Sequence, residues 1–143
     1  MAINSILDAV DHAKARIENI GVEELARELA ANPDLLLVDL RELQERVDLG
    51  TIAGSVHVPR GMLEFWADPQ SRYYRDWFQE NRRTVLFCAG GGRSALAALA
   101  LQEMGFKDVA HLEAGFAGWE QAGRDVQDVA ATSRWVRRNP PGR

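Results

Sequence analysis

The sequence predicts an α/β fold, a doubly wound and mostly parallel five-stranded sheet flanked by helices. Three observations carry that prediction. Short apolar runs alternate with stretches of helical composition along most of the chain. Leu35 to Asp39 is apolar without interruption until a carboxylate ends it, as expected of a central parallel strand buried on both faces. The 143 residues suffice for one domain with a proper core and are too few for two of ordinary size.

The elements follow in order. Residues 5–17 place Ile6, Leu7, Val10, Ala13 and Ile17 at spacings of three and four, an amphipathic helix that Ser5 or Asn4 can cap. Its apolar stripe covers either the domain's own surface or a second copy, so a homodimer through this helix stands beside simple packing. Ile17 to Ile20 reads as a first strand. Val22 to Ala31 reads as a helix with Leu25 and Leu29 inward, closed at Asn32-Pro33 because the residue before proline is pushed out of helical geometry. After the strand at Leu35 to Asp39, Glu42 to Leu49 suits a short helical turn and Ser55 to Val58 a short strand. Arg60 to Gln79 carries Phe65, Trp66, Tyr73, Tyr74, Trp77 and Phe78, which suggests two helical pieces joined by a turn, with the aromatics packing on the core.

Arg82-Arg83 reads as a solvated turn. Thr84 to Phe87 is a buried strand, Ser94 to Met104 a helix rich in alanine and leucine, Val109 to Leu112 the fifth strand, and Phe116 to Ala122 the start of a closing helix. Beyond Gly123 the pattern fades, and Arg134 to Arg143 is a basic, proline-containing tail. The expected organisation is an N-terminal helix over 1–16, one domain over 17–124 and a tail over 125–143.

Composition narrows the function. An apolar share of 46% and a charged share of 27% suit a soluble globular chain, and a net charge of -4 offers nucleic acid no electrostatic footprint. No apolar run is long enough to span a membrane, and residues 1–20 lack the basic start and apolar centre of a signal peptide, so the expected location is the cytoplasm. A single cysteine excludes an intramolecular disulfide and a cysteine-pair zinc site.

That cysteine stands where chemistry is expected. Cys88 follows a strand and is succeeded by Ala89, Gly90, Gly91, Gly92, Arg93 and Ser94, where a helix begins. A helix N-terminus leaves unpaired N–H groups and partial positive charge facing the loop, and successive glycines let the loop curl so that its own N–H groups converge. Such a concavity holds an anion and lowers the pKa of a thiol placed inside it. A structural cysteine needs none of these neighbours. Arg93 either adds fixed positive charge to the cradle or turns away to pair with Asp39, Glu42 or Glu113. Asp39 and Arg41 either orient the loop or cap the next turn. None of His12, His57 and His111 is near Cys88 in sequence; folding can still bring one within reach of the sulfur, but a pKa lowered by the cradle makes a histidine base unnecessary. Trp66 and Trp119 either form a rim over the loop or pack in the core.

Cys88 to Arg93, with four residues between cysteine and arginine and Ser94 following, resembles the active-site loop of a rhodanese domain. Three further stretches are similar to motifs of that family: Val38-Asp39-Leu40-Arg41-Glu42, Gly50 to Pro59, and Ala114-Gly115-Phe116-Ala117-Gly118-Trp119. Four motifs in order, over roughly residues 17 to 124, make the resemblance specific. It implies a sulfurtransferase in which Cys88 takes a sulfane sulfur from thiosulfate or a similar donor as a persulfide. A thiol or cyanide then accepts that sulfur, with no metal or organic cofactor. The acceptor is external, because the chain has no second cysteine. Ala89 to Gly92 present fewer side chains than many family members carry there, so that donor selectivity is either low or supplied by Arg60, Trp66 or other rim residues. Thr51 stands where histidine is common and Ala114 where glycine is common. Two other functions remain open: an oxyanion enzyme of the phosphatase or arsenate reductase type, for which the resemblance implies five loop residues, and a non-catalytic binding or regulatory module.

Overall fold

The structure is a computed structural model that describes residues 2–132. Apolar runs become strands because both faces of the sheet are covered. Strands β1 (Glu18–Ile20), β2 (Leu36–Asp39), β3 (Val56–His57), β4 (Thr84–Phe87) and β5 (Val109–Leu112) form one parallel sheet in the order β1-β5-β4-β2-β3. Every residue of β2, β4 and β5 is buried. The core therefore lies in two layers. Leu36, Val38 and Leu86 face one of them with Leu63, Phe78 and Leu101, while Leu37, Val85, Phe87 and Ala110 face the other with Leu25, Phe116 and Trp119.

Strand order places the site. The chain leaves β2 towards β3 on one side and leaves β4 towards β5 on the other, so the carboxyl ends of β2 and β4 flank a topological switch point. Leu40 N–H reaches Phe87 O at 2.9 Å and closes the pairing just below it.

The helices follow their patterns with few exceptions. Helix α1 (Ile6–Lys14) is capped by Ser5, whose hydroxyl accepts from Leu7 N–H. It packs through Ala13 and half-buried Val10, and Ile3, Ile6 and Leu7 remain exposed. Helix α2 (Val22–Ala31) ends at Asn32, and α3 (Leu43–Leu49) opens on a reciprocal capping box between Glu42 and Glu45. Helices α5 (Gly92–Met104) and α6 (Gly115–Gln121) follow β4 and β5. Among the described residues no helix is long and apolar enough to cross a membrane.

Three expectations differ from what is observed. Of the two helical pieces over 60–79, only the first forms, as a 3-10 turn at Arg60–Met62 running into α4 (Leu63–Ala67). The rest is a chain of turns held by Ser71, Tyr74 and Phe78 N–H groups, because Pro69 and scattered aromatics anchor it by side chain instead of by helical period. Arg83 is no solvated turn. Its guanidinium bonds Glu18, Glu28 and Asp108 at 2.7 to 3.0 Å, joining β1, α2 and the approach to β5, and the Glu18 and Glu28 carboxylates hold it more firmly protonated than usual. The pattern past Gly123 does not end in open chain either. Thr51 and Gln127 exchange backbone hydrogen bonds at 2.8 and 2.9 Å, Trp119 Nε1 donates to Asp125 O, and α7 (Val129–Thr132) buries Val129. Gly50 permits this approach, since a Cβ there would meet the side chain of Val126. The basic stretch Arg134 to Arg143 lies outside the described residues.

Candidate active site

Thr84 to Phe87 is an all-buried strand, and its apolar neighbours carry Cys88 to the sheet end with 1% of its surface exposed. There the chain turns sharply into α5. Gly91 makes the turn: its φ is +100°, and a Cβ would collide with the Glu113 carbonyl oxygen. The result is a cradle around the sulfur. Gly91 N–H points at Cys88 Sγ at 3.2 Å and Ser94 N–H at 3.4 Å. Helix geometry leaves the N–H groups of Gly92 and Arg93 without an intrahelical partner as well.

The loop is tied down from the far side. Phe116 N–H donates to Cys88 O at 2.8 Å and Ala117 N–H to Ala89 O at 3.1 Å, while Gly115, at φ +66°, lets α6 approach where a Cβ would strike the Ala89 carbonyl. Phe116 in turn lies under the Arg41 guanidinium, whose Cζ is 4.2 Å from the ring centroid. Arg41 is fully buried. It grips Asp39 through Nε and Nη2 at 3.0 and 2.9 Å and donates to Gly50 O at 2.7 Å; among the described residues its Nη1 has no hydrogen-bond partner and is left to the aromatic faces. Asp39 also accepts from Arg46 Nε and Thr51 Oγ1. Burial pushes the Asp39 carboxyl up, but the bonds and charge of Arg41 with the Thr51 hydroxyl outweigh it and hold the group below its ordinary range. Arg41, bonded to Asp39, thus meets the ring of Phe116, whose N–H bonds the loop, and among the described residues none of the hydrogen bonds of Asp39 or Arg41 goes to the sulfur.

Arg93 settles on a partner that none of Asp39, Glu42 and Glu113 supplies. It forms a two-pronged pair with Glu45 of α3, at 2.7 and 3.0 Å. Glu42 is used instead as the cap of α3, which turns Glu45 towards α5. The Arg93 bonds, opposed by partial burial, lower the Glu45 carboxyl to about 2. Trp66 and Trp119 pack in the two core layers, Trp66 edge-on to Trp77, and Arg60 pairs with Glu64.

From sequence, His111 is set aside and neither Asn19 nor Glu45 is singled out. Fully buried His111 sits in β5 with its Nδ1 2.8 Å from Ser94 Oγ, and Ser94 Oγ is 3.5 Å from Cys88 Sγ. The signal was a polar side chain inside the buried strand Val109–Leu112, in parallel register with Leu86, two residues short of the cysteine. His57 lies elsewhere, bonded to Arg41 O. Among the described residues no group of three His, Cys, Asp or Glu stands together as a metal site.

The family model for the rhodanese-like domain matches residues 21–122. The chain belongs to the rhodanese-like family. Solved rhodanese-like neighbours include a polysulfide-sulfur transferase homodimer from Wolinella succinogenes, 25% identical at a TM-score of 0.69, covering 95% of this chain and 90% of that one. A protein of unknown function from Rhodopseudomonas palustris, called a possible tyrosine phosphatase, is 41% identical at a TM-score of 0.84 over 89% of this chain and 97% of that one. Among curated relatives, the tRNA uridine(34) hydroxylase of Deinococcus radiodurans is 30% identical over 118 residues, 76% of this chain. This rhodanese-like chain spans about a third of that relative's length, 33%.

Proposed function

We propose that the protein is a sulfurtransferase that carries a sulfane sulfur on Cys88. The observation behind this reading is the pair of N–H groups, from Gly91 and Ser94, converging on Sγ within a four-residue loop. The Cys88 thiolate attacks the outer sulfur of a donor such as thiosulfate or a polysulfide. A new S–S bond forms, the donor's S–S bond breaks, and sulfite or the shortened polysulfide leaves with the bonding electron pair. The persulfide anion stays at the N-terminus of α5, where unpaired N–H groups and the helix dipole offset its charge. A thiolate or cyanide then attacks the terminal sulfur and expels Cys88 as thiolate, a two-stage covalent cycle.

The name of the Rhodopseudomonas palustris neighbour raises a phosphatase reading. Two features favour sulfur over a tetrahedral phosphate. The loop has only four residues between Cys88 and Arg93, and the Arg93 fork that a phosphate would need is engaged by Glu45.

Intact-protein mass measurement after thiosulfate treatment, and again after polysulfide, tests the proposal. Wild type is expected to gain one sulfur mass that cyanide removes, and Cys88→Ser to gain none. No adduct from either donor, or an adduct retained in Cys88→Ser, would overturn it.

A further inference from the structure

Behind Cys88 runs a file of polar groups whose hydrogens can be assigned one by one. It starts at Asn19 in β1. The two hydrogens of Asn19 Nδ2 go to the carbonyls of Lys14 and Ile17, at 2.9 and 3.2 Å, so Oδ1 is the atom that faces His111 Nε2 at 2.7 Å. An acceptor there assigns the ring hydrogen to Nε2. Nδ1 is left with a lone pair, which takes the Ser94 hydroxyl hydrogen across 2.8 Å. Ser94 Oγ therefore offers lone pairs to Cys88 Sγ, and the thiol hydrogen is the one that fits between them. From sulfur to ring, each hydrogen points towards His111.

We propose that His111, positioned by Asn19, receives the thiol proton of Cys88 through the hydroxyl of Ser94. The S–H bond and the Ser94 O–H bond break as a new Oγ–H bond and an Nδ1–H bond form, and the S–H electron pair stays on sulfur. A neutral pair becomes a thiolate and an imidazolium separated by one hydroxyl, which now donates to the sulfur. Buried as it is, Cys88 ionises without handing its proton to bulk water.

The surrounding charges fit this use. Burial and, secondarily, the charge of Lys14 in α1 push His111 down to about 4, which keeps the ring an unprotonated acceptor while the sulfur is neutral. Glu113, just past β5, lies 3.9 Å from Lys14 and moderates that charge. On the other side Arg93 of α5 interacts with Cys88, and the Gly91 and Ser94 N–H groups point at its sulfur. Once formed, the thiolate is the countercharge that the imidazolium needs.

The inference deepens the sulfur-transfer reading, which requires a thiolate, but its test reads ionisation alone. Cys88 is the only cysteine, so the ultraviolet thiolate absorbance of the protein belongs to it. Asparagine at 111 keeps an oxygen acceptor near Ser94 and cannot take the proton. Thiolate formation in His111→Asn and in Ser94→Ala is expected about one pH unit above wild type, about a ten-fold loss of thiolate at a given pH on the lower limb. Nitrogen chemical shifts of the His111 ring give a second readout that needs no substitution at the relay. In wild type the ring is expected to hold a second proton, on Nδ1, over the pH range in which the sulfur is already thiolate and to release it only at higher pH, and in Cys88→Ser to stay unprotonated over that range. Equal midpoints in all three proteins, or a wild-type ring that stays neutral with its hydrogen on Nε2 throughout, would overturn the proposal. A shifted midpoint without any sulfur adduct would sink sulfur transfer and leave the relay standing.

Discussion

Two buried polar clusters close the same end of the sheet, and they are built in opposite ways. At the end of β2, Asp39 and Arg41 meet as full charges, with Arg46, Thr51 and the Gly50 carbonyl around them and the Phe116 face under the guanidinium. At the end of β4, Cys88, Ser94, His111 and Asn19 stand in single file with no fixed charge among them. The first cluster joins three of the four sequence motifs and carries nothing that can leave. On the readings proposed above, the second is where a proton moves and a sulfur reacts, while the paired charges of the first hold that end of the sheet.

Breaking each cluster separately should show the difference. Asp39→Ala leaves the Arg41 guanidinium buried without its carboxylate, a change expected to cost about 3–5 kcal/mol. Cys88→Ser should alter stability by less than about 1 kcal/mol while abolishing the sulfur adduct. Urea unfolding of the two variants makes the comparison, and equal losses would erase the distinction. Next in size is the loop itself. Gly91→Ala must keep φ near +100° and push against the Glu113 carbonyl, at a cost of about 1–3 kcal/mol. The shift moves an N–H group off the sulfur, so adduct formation should fall at least about ten-fold, the equivalent of about 1.4 kcal/mol. Gly90→Ala has open space and no positive φ, and should stay within about 0.5 kcal/mol and keep its adduct.

What could be read in the chain beforehand follows the same division. The three buried strands β2, β4 and β5 and the cysteine loop were legible because each is a local pattern: a buried strand must be apolar, and a tight turn into a helix must be glycine-rich. Asp39 and Arg41 were visible as polar residues at a strand end and their bond spans only two residues, yet the contact of Arg41 with Phe116 joins chain segments more than seventy residues apart. Arg83 misled for a related reason. Nothing local says that Glu18, Glu28 and Asp108 converge on it. His111 and Asn19 were the hardest, since their placement beside Ser94 requires the strand order β1-β5-β4, which periodicity does not encode. The segment past Gly123 failed because a two-residue bridge and a four-residue helix leave too short a pattern to see.

The smallest predicted effect bears on whether Arg93 belongs to the supporting cluster or to the reactive one. Glu45 holds it at the protein surface, where both side chains are partly solvated, so Glu45→Gln should cost less than about 1 kcal/mol at neutral pH. The pH dependence has a definite sign. The folded-state carboxyl titrates near 2 instead of 4.5, so the pair contributes above pH 4.5 and its contribution is lost as pH falls from there towards 2. Wild type and Glu45→Gln should therefore differ by a constant amount above that window and converge within it. Freed from Glu45, Arg93 can turn to the mouth of the cradle, and binding of inorganic phosphate, measured by calorimetry, should strengthen in the variant. Converging acid limbs with unchanged phosphate binding would place Arg93 among the supports, since a guanidinium that stays put without its carboxylate is held by the fold and not in reserve for an anion.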